Sequence, residues 1–145
     1  MKKAIVTEIS PQAIGPYSQA VEFNCLIFCA GQIGIEAKSG NLVGGIKDQT
    51  RQVLENLNEI LHAAGSSLEN VLKVEVFLKN MADFQDMNQV YEKYFKNPYP
   101  ARATVEVARL PKDALIEISC IAFKKLSREN YNKSRCCLGL PQFDE

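Results

Sequence analysis

The chain has 145 residues, of which 46% are hydrophobic and 23% charged, enough for one globular domain with a substantial core. Its 17 basic residues balance 17 acidic ones, so there is no overall positive field to draw nucleic acid or an anionic membrane. No run approaches the ~18 apolar residues of a membrane span, and the two lysines near the N-terminus are not followed by a signal-like apolar stretch.

Residues 2–7 read as a short strand, and Gly15-Pro16 punctuates a loop over residues 13–18. Two strands follow, Gln19–Phe23 and Cys25–Ala30, turning at Asn24. The second is nearly all apolar, the pattern of a strand buried on both faces, and Gly31-Gln32 ends it. Past a glycine-rich connection, Val53, Leu57, Ile60, Leu61 and Ala64 form one apolar stripe on a helix from about Ile46 to Ala64. Gly65 is placed to end that helix in a left-handed cap. Val71–Lys79 alternates, with Leu72, Val74, Val76 and Leu78 on one face of a half-buried strand. A second helix, Met81 to Phe95, carries the stripe Phe84, Met87, Tyr91, Tyr94 and Phe95, and Asn80 with Asp83 resembles a capping box. Strands near Arg102–Ala108 and Leu115–Lys124 complete the order βββαβαββ. Two crossover helices in that order predict an α+β fold, a mixed sheet with both helices packed on one face.

One domain is expected over residues 1–126. Residues 127–145, polar and then aperiodic, read as an appended tail, mobile or loosely packed. Five cysteines without a secretion signal read as reduced thiols of a cytoplasmic protein, with Cys25, Cys29 and Cys120 in buried strands.

The run Pro100-Ala101-Arg102-Ala103-Thr104-Val105-Glu106-Val107, followed by Ile116-Glu117-Ile118, carries the chemistry. It sets an arginine at the start of one strand and a glutamate in the next, both among apolar residues. A guanidinium there is a fixed fork for a carboxylate, and a nearby carboxylate can orient and deprotonate water. Together they suggest a small pocket for an organic acid. A buried ion pair between Arg102 and Glu117 would explain both residues without any activity, since an unpaired buried charge is costly. Tyr17 can face a pocket or pack its ring at the sheet edge. Asn88 interrupts the apolar face of the second helix and has hydrogen bonds to satisfy, a structural task more than a ligand contact. Gly31 can offer a backbone N–H or allow a tight turn. His62 is the only histidine. No His-Cys or His-carboxylate cluster forms around it, and the chain has no phosphate loop, dinucleotide fingerprint or Gly-x-Ser-x-Gly elbow.

Ile14-Gly15-Pro16-Tyr17-Ser18-Gln19-Ala20, Ala30-Gly31-Gln32-Ile33, the Pro100–Val107 run, Ala108-Arg109-Leu110-Pro111-Lys112-Asp113 and Ile116-Glu117-Ile118 closely resemble the RidA/YjgF-like family. These are the reactive-intermediate (2-iminobutanoate/2-iminopropanoate) deaminases, and the match spans about residues 3–124. The resemblance implies a chorismate-mutase-like fold and a homotrimer with a sheet-lined barrel and three ligand sites in the clefts between subunits. By position, Arg102 would hold the substrate carboxylate, and Glu117 would orient the attacking water and assist proton transfer. Tyr17 would line the pocket from the adjoining subunit. Gly31 and the backbone of Thr104 would contact the ligand, and Asn88 would support the wall. The implied reaction is hydrolysis of 2-aminoacrylate/2-iminopropanoate or 2-iminobutanoate, as released by serine or threonine dehydratases, to a 2-keto acid and ammonia. No cofactor, metal, nucleic acid or membrane is implied for it.

Ala30 stands where many members have serine and Thr104 where many have cysteine, the loop 96–99 is short, and the tail exceeds the family length. Two other activities attributed to relatives are a 2-keto-acid-binding regulatory or chaperone-like role with little catalysis and RNA cleavage. The balanced charge disfavours the last.

Overall fold

The computed structural model describes residues 1–124. In chain order it contains β1 (Lys3–Ile5), β2 (Ala20–Phe23), β3 (Leu26–Ile33), α1 (Ile46–Ala63), β4 (Val71–Leu78), α2 (Phe84–Tyr91), β5 (Ala101–Glu106) and β6 (Ile116–Phe123). The expected element order holds; the tail and the domain end near Leu126 lie outside the described residues.

The six strands form one sheet in the order β1-β2-β3-β6-β4-β5. Only β4 and β5, joined through α2, run parallel. β6 enters between β3 and β4 and pairs with both antiparallel. Residues opposite one another on neighbouring strands share a face, so the register sorts the sheet. Ile118, Val76 and Thr104 form one row, and Cys120, Val74 and Arg102 another, on the side where the helices lie. Glu117, Phe77 and Val105, with Ser119, Glu75 and Ala103, lie on the other side.

The core is the seam between the sheet and α1. Val53, Leu54, Ile60 and Leu61 are fully buried against Val74, Val76, Leu78, Ile116 and Ile118, and α2 adds Met87 and Tyr91. Truncating any one of these leucines to alanine would cost about 3 kcal/mol in lost transfer energy and cavity. Gly65 has φ +78°. Its N–H donates to the His62 carbonyl (2.9 Å) and the Ser66 N–H to the Leu61 carbonyl (2.8 Å), the paired bonds that close a helix through a left-handed glycine. The Ser66 hydroxyl then donates to the Phe123 carbonyl at 2.6 Å, tying this turn to β6.

Six expectations are corrected. The first strand is shorter than residues 2–7. β3 runs through Gly31 to Ile33, carried past the glycine by a bulge: Cys29 faces Cys120, but Gln32 faces Ile118, leaving one extra residue on β3. It is also not buried on both faces, because both helices cover the same side and Phe28, on the other, stays 43% exposed. In β4 a second bulge between Val71 and Lys73 turns Val71 inward and leaves Leu72 48% exposed. The second helix is an α-helix only over Phe84–Tyr91, preceded by a 3-10 turn, Met81–Asp83. Asn80 Oδ1 accepts from the Ala82 N–H at 2.9 Å, while no Asp83 side-chain bond completes a capping box.

Candidate active site

Arg102 lies on β5, at the free edge of the sheet, with its side chain on the helix side. Three side chains of α2 hold its guanidinium. Nη1 donates to Asn88 Oδ1 at 2.8 Å, and Cζ lies 4.6 Å from the centroid of the Tyr91 ring and 5.6 Å from that of Phe84. Asn88 therefore does a structural job, orienting the arginine. The guanidinium opens into a cavity of about 480 Å³ lined also by Glu92, Tyr99 and Pro100. Among the described residues no carboxylate pairs with it. Thr104 sits two positions further along β5, its hydroxyl buried without a hydrogen-bond partner among the described residues.

Glu117 lies on β6, on the side without helices, in a second cavity of about 450 Å³. Tyr17, Gly31, Gln12, Ile14 and Lys112 line the same hollow. The bulge in β3 brings the Gly31 backbone under the glutamate: a Cβ at residue 31 would lie 2.8 Å from Glu117 Cδ and 3.0 Å from Cγ. Only glycine leaves that space to the carboxyl group. Glu117 is half-buried and has no hydrogen-bond or ion-pair partner among the described residues. Burial raises its carboxyl above the ordinary value of 4.5.

The loop bearing Tyr17 is fastened by a buried amide. Gln19, 2% exposed, accepts from the Thr7 N–H at 2.8 Å and donates to the carbonyls of Thr7 (3.1 Å) and Pro11 (2.8 Å). The Ser10 hydroxyl donates to the Asn56 carbonyl on α1 at 2.7 Å. Lys112, with φ 54°, lies in the short turn Pro111–Asp113 and lines the same cavity as Glu117.

The site residues thus fall into two groups. Tyr17, Gly31 and Glu117 share one hollow; Arg102 and Asn88 share another, with Thr104 on the same face as Arg102. Arg102 and Glu117 lie on consecutive strands of the chain, as expected, but not side by side in the sheet, because β4 separates β5 from β6. Their Cα atoms lie two strand spacings apart across the sheet and three residues apart along it, roughly 14 Å. They also point to opposite faces, so no ion pair joins them, and among the described residues they line separate cavities.

The sequence reading missed Tyr91 and Phe84, whose spacing reads as core stripe, and Lys112, which carried no periodic signal. Gln19 was legible only as the first residue of a strand.

Residues 7–124 match the family described as endoribonuclease L-PSP. A RutC family protein of Pyrococcus horikoshii is 59% identical over 126 residues, covering 86% of this chain and all of that protein. The 2-iminobutanoate/2-iminopropanoate deaminase of Homo sapiens is 46% identical over 125 residues, covering 86% of this chain and 91% of its own. Among solved structures, TdcF of E. coli with bound serine superposes with a TM-score of 0.81 at 40% identity, over 85% of this chain and 99% of that one. The motifs around Tyr17, Gly31, Arg102 and Glu117 all lie within the matched span, and the chain belongs to this family of RidA/YjgF-like proteins.

Proposed function

We propose that this protein is a cofactor-independent deaminase that hydrolyses 2-aminoacrylate/2-iminopropanoate and 2-iminobutanoate to 2-keto acids and ammonia. It acts as a homotrimer in which the Arg102 cavity of one protomer closes against the Glu117 cavity of the next. The observation that carries this reading is the separation of two incomplete half-sites. Among the described residues, a guanidinium without a carboxylate partner faces out on one side of the sheet, and an unpaired, half-buried carboxylate faces out on the other. Each lacks what the other has, and docking of one protomer's helix side against the next protomer's open sheet face is the arrangement that joins them. The exposed Phe28 and Val105 on the helix-free face, 43% and 46% exposed, fit burial in such an assembly.

In the joined site Arg102 grips the substrate carboxylate with the donors that Asn88 leaves free and fixes the C=N carbon for attack. Glu117, in its ionised form, takes a proton from water as the oxygen adds to that carbon. It passes that proton to the imine nitrogen to give the carbinolamine, then carries the hydroxyl proton to the same nitrogen as the C–N bond breaks, so the net change is R–C(=NH)–COO⁻ plus water to R–C(=O)–COO⁻ plus ammonia. A carboxyl with a raised pKa suits both transfers better than a fully solvated one. The Gly31 backbone, unobstructed by a Cβ, lets the reacting carbon approach the Glu117 carboxyl, and the exposed Tyr17 ring walls the hollow.

The deciding assay generates 2-aminoacrylate from serine with a dehydratase and follows pyruvate release. Wild type should accelerate release, and Arg102→Ala and Glu117→Ala should each remove the acceleration. Undiminished acceleration by Arg102→Ala would overturn the mechanism. Binding of 2-ketobutyrate without turnover would make the protein a ligand binder instead. The match to a family described as endoribonuclease is tested in parallel with RNA substrate, where no cleavage above buffer is expected.

A further inference from the structure

We infer that Tyr91 is a positioning residue for the Arg102 subsite: its ring is a rigid shelf that sets the tilt of the guanidinium toward an incoming carboxylate. The inference rests on the reading of Arg102 as the carboxylate grip.

Arg102 stands on an exposed edge strand, where a long side chain has rotamer freedom to lose before it can bind anything. The Asn88 bond at 2.8 Å fixes one nitrogen, Nη1, and leaves Nε and Nη2 as the donors for two carboxylate oxygens. One hydrogen bond still permits the planar group to swing about that contact. A flat surface beneath removes the swing, and the Tyr91 centroid lies 4.6 Å from Cζ, closer than the Phe84 centroid at 5.6 Å. The weakly hydrated guanidinium and the negative face of the ring attract each other as well as packing.

The shelf itself does not move freely. Tyr91 is 6% exposed, belongs to the core cluster, and packs its ring 4.4 Å from that of Phe95. Its hydroxyl is buried with no hydrogen-bond partner within 3.5 Å among the described residues, and the group near enough to act on it is the Arg102 guanidinium itself. Burial pushes the phenol up to about 12, against the lowering pull of Arg102, so it carries no charge at neutral pH. An aromatic ring kept here while its hydroxyl goes unmet points to the ring face as the part in use. An apolar filler such as leucine would satisfy the core but offer no π face.

The test titrates 2-ketobutyrate calorimetrically into wild type and Tyr91 variants. Tyr91→Leu should bind about tenfold more weakly, and Tyr91→Phe should restore binding to within about twofold of wild type. Pentafluorophenylalanine at position 91, which keeps the shape and reverses the ring's charge pattern, should bind roughly fivefold more weakly than phenylalanine. This matched pair stands even if Tyr91→Leu does not fold. A leucine variant that binds like wild type, or a fluorinated ring that binds like phenylalanine, overturns the inference.

An independent arm needs no ligand. The Arg102 Nε–H proton, assigned by its loss in Arg102→Lys, should be shifted upfield by the ring in wild type and in Tyr91→Phe. An unshifted signal in wild type overturns the shelf. Absence of 2-ketobutyrate binding by wild type would instead sink the functional reading, and the proton shift would still judge the shelf.

Discussion

Arg102 and Glu117 stand on opposite faces of the same sheet, with β4 between their strands and their side chains in separate cavities. If one site uses both, it takes them from different protomers. Arg102→Ala and Glu117→Ala proteins, each inactive alone, should then complement after subunit exchange by mild denaturation and refolding together. In a randomly mixed ring, a site needs an intact arginine on one side and an intact glutamate on the other, so about a quarter of wild-type activity should return. Sedimentation of the mixture establishes the assembly, and the pyruvate assay reads the activity. Complete absence of complementation in mixed oligomers would place both residues' action within one protomer and refute the shared site.

Gly31 sits where Glu117 needs room. The atoms nearest a new Cβ belong to the glutamate's flexible end, not to backbone, so Gly31→Ala should push the carboxyl aside more than it strains the fold. The expected result is a kcat/KM lower by roughly 10–100-fold with a small change in melting temperature. An unchanged kcat/KM in Gly31→Ala would mean that the carboxyl keeps its working position despite the added Cβ.

Much of the fold was legible because periodicity reports burial. The α1 stripe of Val53, Leu57, Ile60, Leu61 and Ala64 and the glycine after it gave the helix and its end almost to the residue. The bulges were not legible. Val71 and Leu72 are both apolar, so nothing in the alternation says which one turns inward, and only pairing with β6 decides it. The continuous apolar run of β3 misled for a related reason: Phe28 faces the side without helices, where it stays exposed among the described residues. The site residues were named one by one from their motifs, yet their grouping was hidden. Strand order departs from chain order, since β6 inserts between β3 and β4, and that insertion separates Arg102 from Glu117.

Gln19 holds the segment that leads to Tyr17. Its buried carboxamide satisfies Thr7 and Pro11 backbone groups that have no strand partner to replace it. Gln19→Leu would leave the Thr7 N–H and the Pro11 carbonyl unmet inside the loop, while the Thr7 carbonyl keeps its bond from Gln12 Nε2, and should destabilise the protein by about 2 kcal/mol. The urea midpoint measures this. Released from its anchor, the loop should also place Tyr17 less well, raising KM for the imine more than it lowers kcat. A loss of stability below about 0.5 kcal/mol would show that water replaces the amide at no cost.

Glu117 should leave two marks on pH dependence. Burial raises its folded-state pKa above 4.5, so between the unfolded and folded values the native protein binds more protons than the unfolded chain. Stability attributable to this residue therefore falls as pH rises through that window, and the full penalty stands above it. Glu117→Gln removes the charge, so it should melt higher than wild type at pH 7, by on the order of 1–3 °C, and should lose that advantage near pH 3.5. Catalysis runs the opposite way. The base must be ionised, so wild-type kcat/KM should fall on the acid side with a midpoint above 4.5, the rate dropping in the range where the carboxyl becomes protonated. Calorimetric melting and a pH–rate profile read the two marks separately. A Glu117→Gln gain that is equal at both pH values would mean that the carboxylate is not desolvated. An acid limb below the ordinary carboxylate range would assign the base to another group.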